Sequence, residues 1–327
     1  MSERESQVAV GVDVGATSSK AMAVRQDGTL AGRGVAGGGN PNSHPPELAA
    51  KRVAEAVATA IGDGTAVACV LGAAGESKFS DPAIVEVFTT ALDQVGVTCA
   101  IDVVSDAEVA FASATASSAG TVVVGGTGSI AARIVDRRKT ARIGGWGWLL
   151  GDEGSAYWIG RESVRSTLRA LQSDLPLGSL GEAVLTEAFG SPDLSLADGA
   201  WRQDAVRRLI TSANAEAPIR LARYAAMVSE HAAADPAARS IVGRAAELLA
   251  AHATAARTAG EQTPIVLAGS VIGPESPVGK ALRAALADEG VVLFAKDGAV
   301  GAAWLAALAA WGKDTPRPEL LGDPGVA

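Results

Sequence analysis

Apolar and polar residues alternate in the opening stretch of the chain, Val8–Val24. Its first four valines fall at every second position, which is the period of extended backbone. A turn of glycine and hydroxyl residues follows, and a second apolar run completes a predicted β-hairpin. The same order of strand, turn and strand returns in Thr121–Val135, where GGTGS forms the turn.

The other apolar runs predict alternating strands and helices, and proline or a capping residue marks several helix starts. The predicted strands are Leu30–Ala36, Ala66–Leu71, Ala100–Val104, Thr140–Ile143, Pro264–Ala268 and Val291–Phe294. The predicted helices are Pro45–Ile61, Pro82–Val95, Asp106–Ala116, one beginning near Glu153, Ala200–His231, Pro236–Ala256, Val278–Ala287 and Gly298–Trp311. Each hairpin is followed by a third strand and by helices, so the sequence predicts duplicated α/β domains. We place them at residues 1–118 and 119–327, with the second richer in helices and the last helix able to cross back.

Composition narrows the class of protein. Hydrophobic residues make up 48% of the chain and aromatic residues 4%, so small aliphatic side chains must build the core. The net charge of −8 disfavours a nucleic acid or an anionic membrane as partner, because both attract basic surfaces. The start of the chain lacks an apolar signal region, and no run reaches the ~18 apolar residues of a membrane span. We therefore predict a cytoplasmic protein.

Several side chains can be placed from their surroundings in the sequence. Cys69 and Cys99 lie in apolar runs that read as strands and are predicted to be reduced core thiols. His231 and His252 are predicted on solvated helix faces. Arg137 to Lys139 are predicted to form an exposed turn after the second hairpin.

The first turn carries candidate ligand groups. Asp13 lies inside an apolar strand, where an unpaired charge is costly, so we expect it to face a cation or hydrogen-bond donors. Hydroxyls, a close-approaching backbone and one positive charge follow it and suit anionic oxygens. These residues are Gly15, Ala16, Thr17, Ser18 and Lys20. An ordinary hairpin with a hydrogen-bonded Asp13 is the alternative.

The second turn presents Thr127, Gly128 and Ser129. Two such turns facing one another could hold a polyphosphate from both sides. Asp106 directly follows a predicted strand, and ligands of open α/β sheets bind at the carboxyl ends of strands. Ser105 or Asp106 could instead cap the helix that follows.

Two further segments could hold a small molecule. The loop of residues 37–47 carries Asn40 and Asn42, and its alternative interpretation is a solvated surface loop. The segment of residues 144–162 combines Trp146 and Trp148 with Asp152, and sugar rings need an aromatic face beside a hydrogen-bond acceptor. Asp152 could instead cap the helix predicted to begin near Glu153.

This constellation suits phosphoryl transfer. That reaction requires held phosphates, charge neutralised by Mg²⁺, and an acceptor oxygen beside a base. The two turns, Asp13 acting through water, and Asp106 could supply these functions in that order. The sequence contains no GxxxxGK[ST] loop, no GxGxxG at a strand turn, no HExxH and no GxSxG, which disfavours P-loop enzymes, nicotinamide dehydrogenases, zinc enzymes and α/β-hydrolases.

The motifs resemble a known superfamily. GVDVGATSSKA is similar to the first phosphate motif of the actin, Hsp70 and sugar-kinase superfamily, GGTGS to its second, and LAGSVIG to its adenosine motif. GGWGWLLGDEGSAYWIG resembles the sugar-site segment of N-acetylglucosamine kinases in the BadF/BadG/BcrA/BcrD ATPase group. The resemblance implies duplicated ribonuclease H-like, actin-like ATPase domains around an interdomain cleft.

The resemblance also implies roles for individual residues. Transfer of phosphate from ATP to the 6-hydroxyl of N-acetylglucosamine would use Asp106 as base and Asp13 as a Mg²⁺ ligand through water. Phosphate contacts would come from the residues of the two turns, sugar contacts from Asn40 or Asn42 and from Gly145, Trp146 and Asp152, and adenosine contacts from Gly269 and Ser270.

Other substrates and one other class stay open. Glucosamine or N-acetylmuramic acid could replace N-acetylglucosamine, although Trp146 beside small residues favours an acetamide pocket. A nucleotide-binding regulator or ATPase activator without sugar chemistry is the alternative class. Activators in this group hold an iron–sulfur cluster between subunits, and Cys69 and Cys99 offer no such pair. Acidic, alanine-rich helices in the second half could form a homodimer face.

Overall fold

The computed structural model describes residues 6–173, 176–190 and 199–318. Within these ranges ten strands form two five-stranded sheets, and the chain divides into two compact units. Unit 1 holds the described residues of Met1–Ala119, Ile134–Lys139 and Ala295–Ala327, and unit 2 those of Gly120–Arg133 and Thr140–Phe294. The predicted α/β class is confirmed, whereas the assignment of domains to 1–118 and 119–327 stays a prediction. Among these residues no helix has the length and apolarity needed to cross a membrane.

The elements are numbered along the chain. The strands are β1 (Gln7–Val14), β2 (Ser18–Val24), β3 (Leu30–Gly37), β4 (Thr65–Ala73), β5 (Ile101–Ser105), β6 (Gly120–Gly125), β7 (Ser129–Val135), β8 (Arg138–Gly144), β9 (Ile265–Ala268) and β10 (Val292–Phe294). The helices are α1 (Pro46–Ile61), α2 (Pro82–Asp93), α3 (Asp106–Ala114), α4 (Gly147–Leu150), α5 (Ala156–Leu171), α6 (Gly178–Phe189), α7 (Gly199–Asn214), α8 (Ala225–His231), α9 (Pro236–Ala255), α10 (Pro277–Ala285) and α11 (Gly298–Trp311). Short 3₁₀ helices occupy Glu76–Ser80, Pro218–Tyr224 and Ser270–Ile272.

The sheet of unit 1 has the strand order β3-β2-β1-β4-β5. The first three strands pair antiparallel, and β1, β4 and β5 run parallel. The alternation in β1 determines its two faces, because the valines pack with α1 and α2 whereas Ala9 packs with α11. A Cβ on Gly11 would lie 1.9 Å from the backbone nitrogen of Ala303, so glycine allows α11 to lie directly on the sheet. This packing brings the start of α11 to the end of β1.

The sheet of unit 2 has the order β10-β9-β6-β7-β8. Read from β8 to β10, this repeats the order of the first sheet, with β6 in the place of β1 and β9 in the place of β4. Strands β6, β9 and β10 run parallel. The unit's apolar core combines strand residues with side chains from α5 to α10. The matching strand orders agree with the duplication expected from the two hairpins.

Some sequence-based assignments are wrong in detail. The single helix predicted for Ala200–His231 is three elements, α7, a 3₁₀ helix and α8. The interruption begins beside Pro218, whose ring removes a helical donor. Helix α5 begins at Ala156 rather than near Glu153, because Ser155 caps it by accepting from the Trp158 amide at 3.2 Å.

The turn between β7 and β8 is shorter than predicted. Asp136 and Arg137 adopt positive φ, and β8 already begins at Arg138. Cys69 is buried in β4, whereas Cys99 lies half-buried before β5 rather than in a strand, and both are free thiols. His252 is mostly buried, with 15% of its side chain exposed, and its Nε2 pairs with Glu153.

Candidate active site

Asp13 stands near the end of β1, beside the N-terminus of α11. A Cβ on Gly298 would lie 2.7 Å from Asp13 Oδ2, so the first residue of α11 must be small to admit the carboxylate. Burial raises the pKa of Asp13 to about 6, with further upward contributions from Asp297 and Asp106 and an opposing one from Lys20. A partly buried carboxylate surrounded by two others is suited to receive positive charge.

The predicted phosphate turn after β1 is held from behind. The Gly15 amide donates to Ser18 O at 3.0 Å, and Gly15 O accepts from the amides of Gly39 and Asn40 at 3.2 Å each. His44 Nε2 donates to Ala16 O at 2.7 Å. Ala16, Thr17 and Lys20 are exposed and Ser18 is half-buried. The backbone is therefore fixed while the hydroxyl and ammonium groups remain available to a ligand.

Asp106 is the first residue of α3, immediately after β5. It does not cap the helix, because Ser105 and Glu108 form a capping box: the Glu108 amide donates to Ser105 Oγ at 3.3 Å and the Ser105 amide to Glu108 Oε2 at 2.6 Å. The Asp106 carboxylate accepts from the Ala107 amide at 2.9 Å. Burial raises the pKa of Asp106; the Ala107 hydrogen bond opposes this rise, and Glu76 adds to it.

The two candidate asparagines have different environments. Asn40 is buried, donating to Ala74 O at 3.0 Å and accepting from the Asn42 amide at 2.8 Å. Asn42 is exposed, and its Nδ2 donates to Ala74 O at 3.1 Å. Asn40 therefore holds the loop against the end of β4, which leaves Asn42 as the better placed of the two for a ligand.

The GGTGS turn of unit 2 lies against the start of α5. The Ser129 amide donates to Asp152 Oδ1 at 3.2 Å, and Ser129 Oγ donates to Glu153 O at 2.7 Å. The amide of Ala156 donates to Gly126 O at 2.9 Å. Thr127, in the middle of the turn, is exposed. The turn is thus fixed by the residues before α5 and presents Thr127 outward.

Asp152 supports this turn and does not cap α5. It has a positive φ of 55°, is 8% exposed, and lies so close that a Cβ on Gly128 would be 3.0 Å from both its carboxylate oxygens. The Gly145 amide donates to Ser129 O at 3.1 Å. Trp146 follows with 63% of its surface exposed. The segment therefore sets a free indole beside the phosphate-type turn within one unit.

Gly269 and Ser270 follow β9. Gly269 has a φ of 102°, and a Cβ there would lie 2.3 Å from Gly125 O at the end of β6. Ser270 is exposed at the start of a 3₁₀ helix. The sequence-predicted adenosine residues thus adjoin the strand that leads into the GGTGS turn.

The residues present fit a hydrated magnesium ion. No three acidic, histidine or cysteine residues within the described ranges 6–173, 176–190 and 199–318 form a metal cluster. Mg²⁺ keeps several waters and commonly binds proteins through one or two carboxylates. The recess that Gly298 leaves beside Asp13 and the raised pKa of that carboxyl suit such an ion.

The structure thus brings Asp13, the first turn, the asparagine loop and Asp106 into unit 1, and the GGTGS turn, Trp146, Asp152 and Gly269 into unit 2. Sequence reasoning missed three charged residues that act on the unit 1 carboxylates. Asp297 begins α11 as its N-cap, and a capping Asp before glycine was the available signal. Glu76 and Lys139 shift the pKa of Asp106 in opposite directions from distant parts of the chain, which no local pattern indicates.

The fold of this chain is shared with that of a solved structure. Over 91% of this chain and 98% of the other, the structure resembles that of a Chromobacterium violaceum protein named as a candidate N-acetylglucosamine kinase, with a TM-score of 0.68 and 23% identity. At that identity the likeness establishes a shared fold. The family follows from the sequence: the BadF/BadG/BcrA/BcrD ATPase family model matches residues 10–306, and the chain belongs to this family.

Two curated relatives match parts of the chain. An N-acetylmuramic acid/N-acetylglucosamine kinase from Clostridium acetobutylicum is 38% identical over 103 residues, which is 32% of this chain and 33% of that protein. An N-acetyl-D-glucosamine kinase from Dictyostelium discoideum is 29% identical over 192 residues, 55% of this chain and 60% of the relative. The matches thus span about a third and about three fifths of these relatives.

Proposed function

We propose that this chain is an ATP-dependent amino-sugar kinase that transfers the γ-phosphoryl group of ATP to the 6-hydroxyl of N-acetylglucosamine. Membership of an ATPase family and the names of both curated relatives support this activity. The single observation that carries it is the Asp106 carboxylate, which the Ser105–Glu108 capping box leaves available at the end of a parallel strand.

Asp106 acts as the general base in this proposal. Its raised pKa makes it a better proton acceptor than an ordinary exposed aspartate, provided that it is ionised at the working pH. As the sugar oxygen attacks the γ-phosphorus and the bond to the β-phosphate oxygen breaks, the hydroxyl proton passes to the Asp106 carboxylate. The loose transition state of phosphoryl transfer places most of the demand on positioning and charge rather than on the base itself.

Asp13 and the two turns hold the nucleotide phosphates. Asp13 would bind Mg²⁺ through water, and the ion would neutralise charge on the β- and γ-phosphates. The exposed hydroxyl of Thr17 and the ammonium group of Lys20 would donate to phosphate oxygens in unit 1. In unit 2 we assign this role to Thr127 with the backbone of Gly128 and Ser129.

The sugar would contact Asn42, Gly145, Trp146 and Asp152, with Asn40 supporting the loop. The exposed indole of Trp146 offers a surface on which the apolar face of a pyranose can stack. Adenosine would lie at Gly269 and Ser270. Two actin-like domains, residues 1–118 and 119–327, remain part of this proposal as a prediction.

N-Acetylmuramic acid is the second candidate acceptor, because the name of the C. acetobutylicum relative includes it. A role as a cluster-binding activator is less well supported. Cys69 is buried, Cys99 is half-buried, and burial raises the pKa of both thiols, which disfavours the thiolates that bind iron.

A coupled assay with ATP, Mg²⁺ and a panel of hexosamines tests the activity. N-Acetylglucosamine should support the highest kcat/KM, and nucleotide consumption without any sugar dependence would contradict the kinase. Asp106→Asn should lower kcat by about 10²–10⁴-fold, the contribution expected of a general base, while leaving ATP affinity near that of the wild type. Asp93→Asn, which removes an exposed carboxylate at the end of α2, is the matched control. Retained activity in Asp106→Asn would refute the base assignment.

A further inference from the structure

The first residues of β8 contact the elements around Asp106 within unit 1. Residues 134–139 belong to this unit although most of β7 and β8 does not. The Lys139 amide donates to Glu108 Oε1 at 3.2 Å, and Arg138 Nη1 lies 3.8 Å from the same oxygen. Glu108 is the capping-box residue of α3, so this contact fixes the helix turn that begins with Asp106.

The Lys139 side chain extends into the same region. Its Nζ pairs with Glu76 Oε1, and only 19% of the side chain is exposed, against 37% for Glu76. Glu76 begins the 3₁₀ helix after β4 and directly follows Gly75, whose carbonyl accepts from Asn42 Nδ2 at 3.4 Å. The ion pair therefore joins the start of β8 to the 3₁₀ helix that directly follows the contact with Asn42.

We infer that Glu76 and Lys139 are positioning residues for Asp106, because their ion pair is tied through Glu108 to the helix turn that Asp106 begins. The inference rests on the proposed role of Asp106 as base. Its geometric basis is the chain of contacts from Glu76 to Lys139 and from Lys139 through Glu108 to the start of α3. The charges agree with this geometry, since Lys139 lowers the pKa of Asp106 and Glu76 raises it.

Other charged groups face the same carboxylates. Asp13 approaches from β1 and interacts unfavourably with Asp106, and Asp297 at the start of α11 acts on Asp13. Lys20 on β2 acts on Asp13 with the opposite sign. Lys139 is thus a cation that acts on Asp106, and Lys20 a cation that acts on Asp13.

This arrangement has a chemical purpose. A buried base gains proton affinity, but it is useless at a pH where it is already protonated. A cation that is paired with an anion lowers the pKa of a neighbouring carboxyl less than a free cation would, because the anion partly cancels its charge. The two members of the pair therefore act on the raised pKa of Asp106 in opposite directions, Glu76 adding to the rise and Lys139 opposing it.

The test is the acid limb of the pH profile of kcat/KM. Lys139→Met should move this limb to higher pH, because it removes the cation that favours the ionised base. Glu76→Gln should move the limb to lower pH. At a fixed pH on the limb, each single change should alter kcat/KM by about threefold or more, in opposite directions, since half a pH unit corresponds to about threefold. The double variant should return close to the wild-type profile.

Two controls separate charge from structure. Lys139→Arg keeps the positive charge and should keep the wild-type limb, and Lys78→Met removes an exposed lysine from the same 3₁₀ helix as Glu76. The inference would be overturned if the acid limb of the pH profile stayed fixed in both Lys139→Met and Glu76→Gln, or moved in the same direction in both. Should Lys139→Met fail to fold, the single variant Lys139→Gln replaces it, and its acid limb should again move to higher pH, opposite to that of Glu76→Gln.

The failures of the two proposals are distinguishable. An active Asp106→Asn enzyme would refute the base itself. An inactive Asp106→Asn enzyme combined with unmoved limbs in the Glu76 and Lys139 variants would refute only the charge pair.

Discussion

Asp13 should cost the protein stability in the absence of a cation. Its pKa rises from 3.8 to about 6 on folding, so between these pH values the folded chain binds the proton that the unfolded chain has lost. Stability therefore falls as the pH rises from about 4 to 6, and the full cost is present above pH 6. A difference of about two between the folded and unfolded pKa of Asp13 corresponds to a loss of about 3 kcal/mol in the free energy of unfolding. This value is an upper bound, because local relaxation reduces it.

Asp13→Asn removes this cost while keeping the shape of the side chain. In EDTA at pH 7.5 the variant should be more stable than the wild type by up to about 3 kcal/mol. At pH 3.5 the difference should nearly vanish, because Asp13 is then mostly protonated in both states. Urea unfolding followed by far-UV circular dichroism at several pH values measures the difference, and kinase turnover should be lost in parallel.

Asp27→Asn is the matched control. Asp27 is an exposed carboxylate whose pKa is lowered by hydrogen bonds from Thr29, so its removal should bring no gain in stability at pH 7.5. An Asp13→Asn protein that is no more stable than the wild type at pH 7.5, or equally stabilised at pH 3.5 and 7.5, would refute the reasoning.

Three further predictions test separate contacts, two of them by comparing a pair of substitutions. Gly298→Ala should displace the carboxylate of β1, since the new Cβ would lie 2.7 Å from its oxygen, and should raise the Mg²⁺ concentration for half-maximal activity with little change in the folded far-UV spectrum. Asn42→Ala should raise KM for the sugar about tenfold with an unchanged melting temperature, whereas Asn40→Ala should lower the melting temperature because a buried hydrogen-bond partner is lost, at about 1–3 kcal/mol. Gly269→Ala should destabilise the protein, because the new Cβ would lie 2.3 Å from Gly125 O and the residue has a positive φ. Gly243→Ala, which lies in open space on α9, should not destabilise it. Equal melting temperatures for these two variants would contradict the packing described for Gly269.

Local patterns predicted the elements whose stability is local. The first hairpin followed from the alternation of its valines, and the start of α9 followed from Asp235 before Pro236, which caps and opens the helix in the structure. The prediction of one continuous helix from α7 to α8 was wrong, because a proline interrupts a helix even where the residues around it favour helix. Pro218 was the available signal for this interruption.

The candidate site was predictable only where one segment supplies the geometry. Asp106 could be placed at the end of a strand. Ser105 was one of the two residues predicted as possible caps of α3, and it is the cap in the structure. Asp152 was assigned to a helix cap as its alternative role, yet its carboxylate turns back to the Ser129 amide, a partner 23 positions away in sequence. The approach of Lys139 to Glu76 spans 63 positions and depends on the whole fold of unit 1.

The two native cysteines make this chain convenient for site-directed spectroscopy. Thiolate is the form that reacts with maleimide, and burial raises the pKa of both Cys69 and Cys99, so both should label slowly near neutral pH. A cysteine introduced at an exposed position would react first without removal of either native residue. Pairs of such labels, one on each unit, could then report on nucleotide and sugar binding by fluorescence transfer.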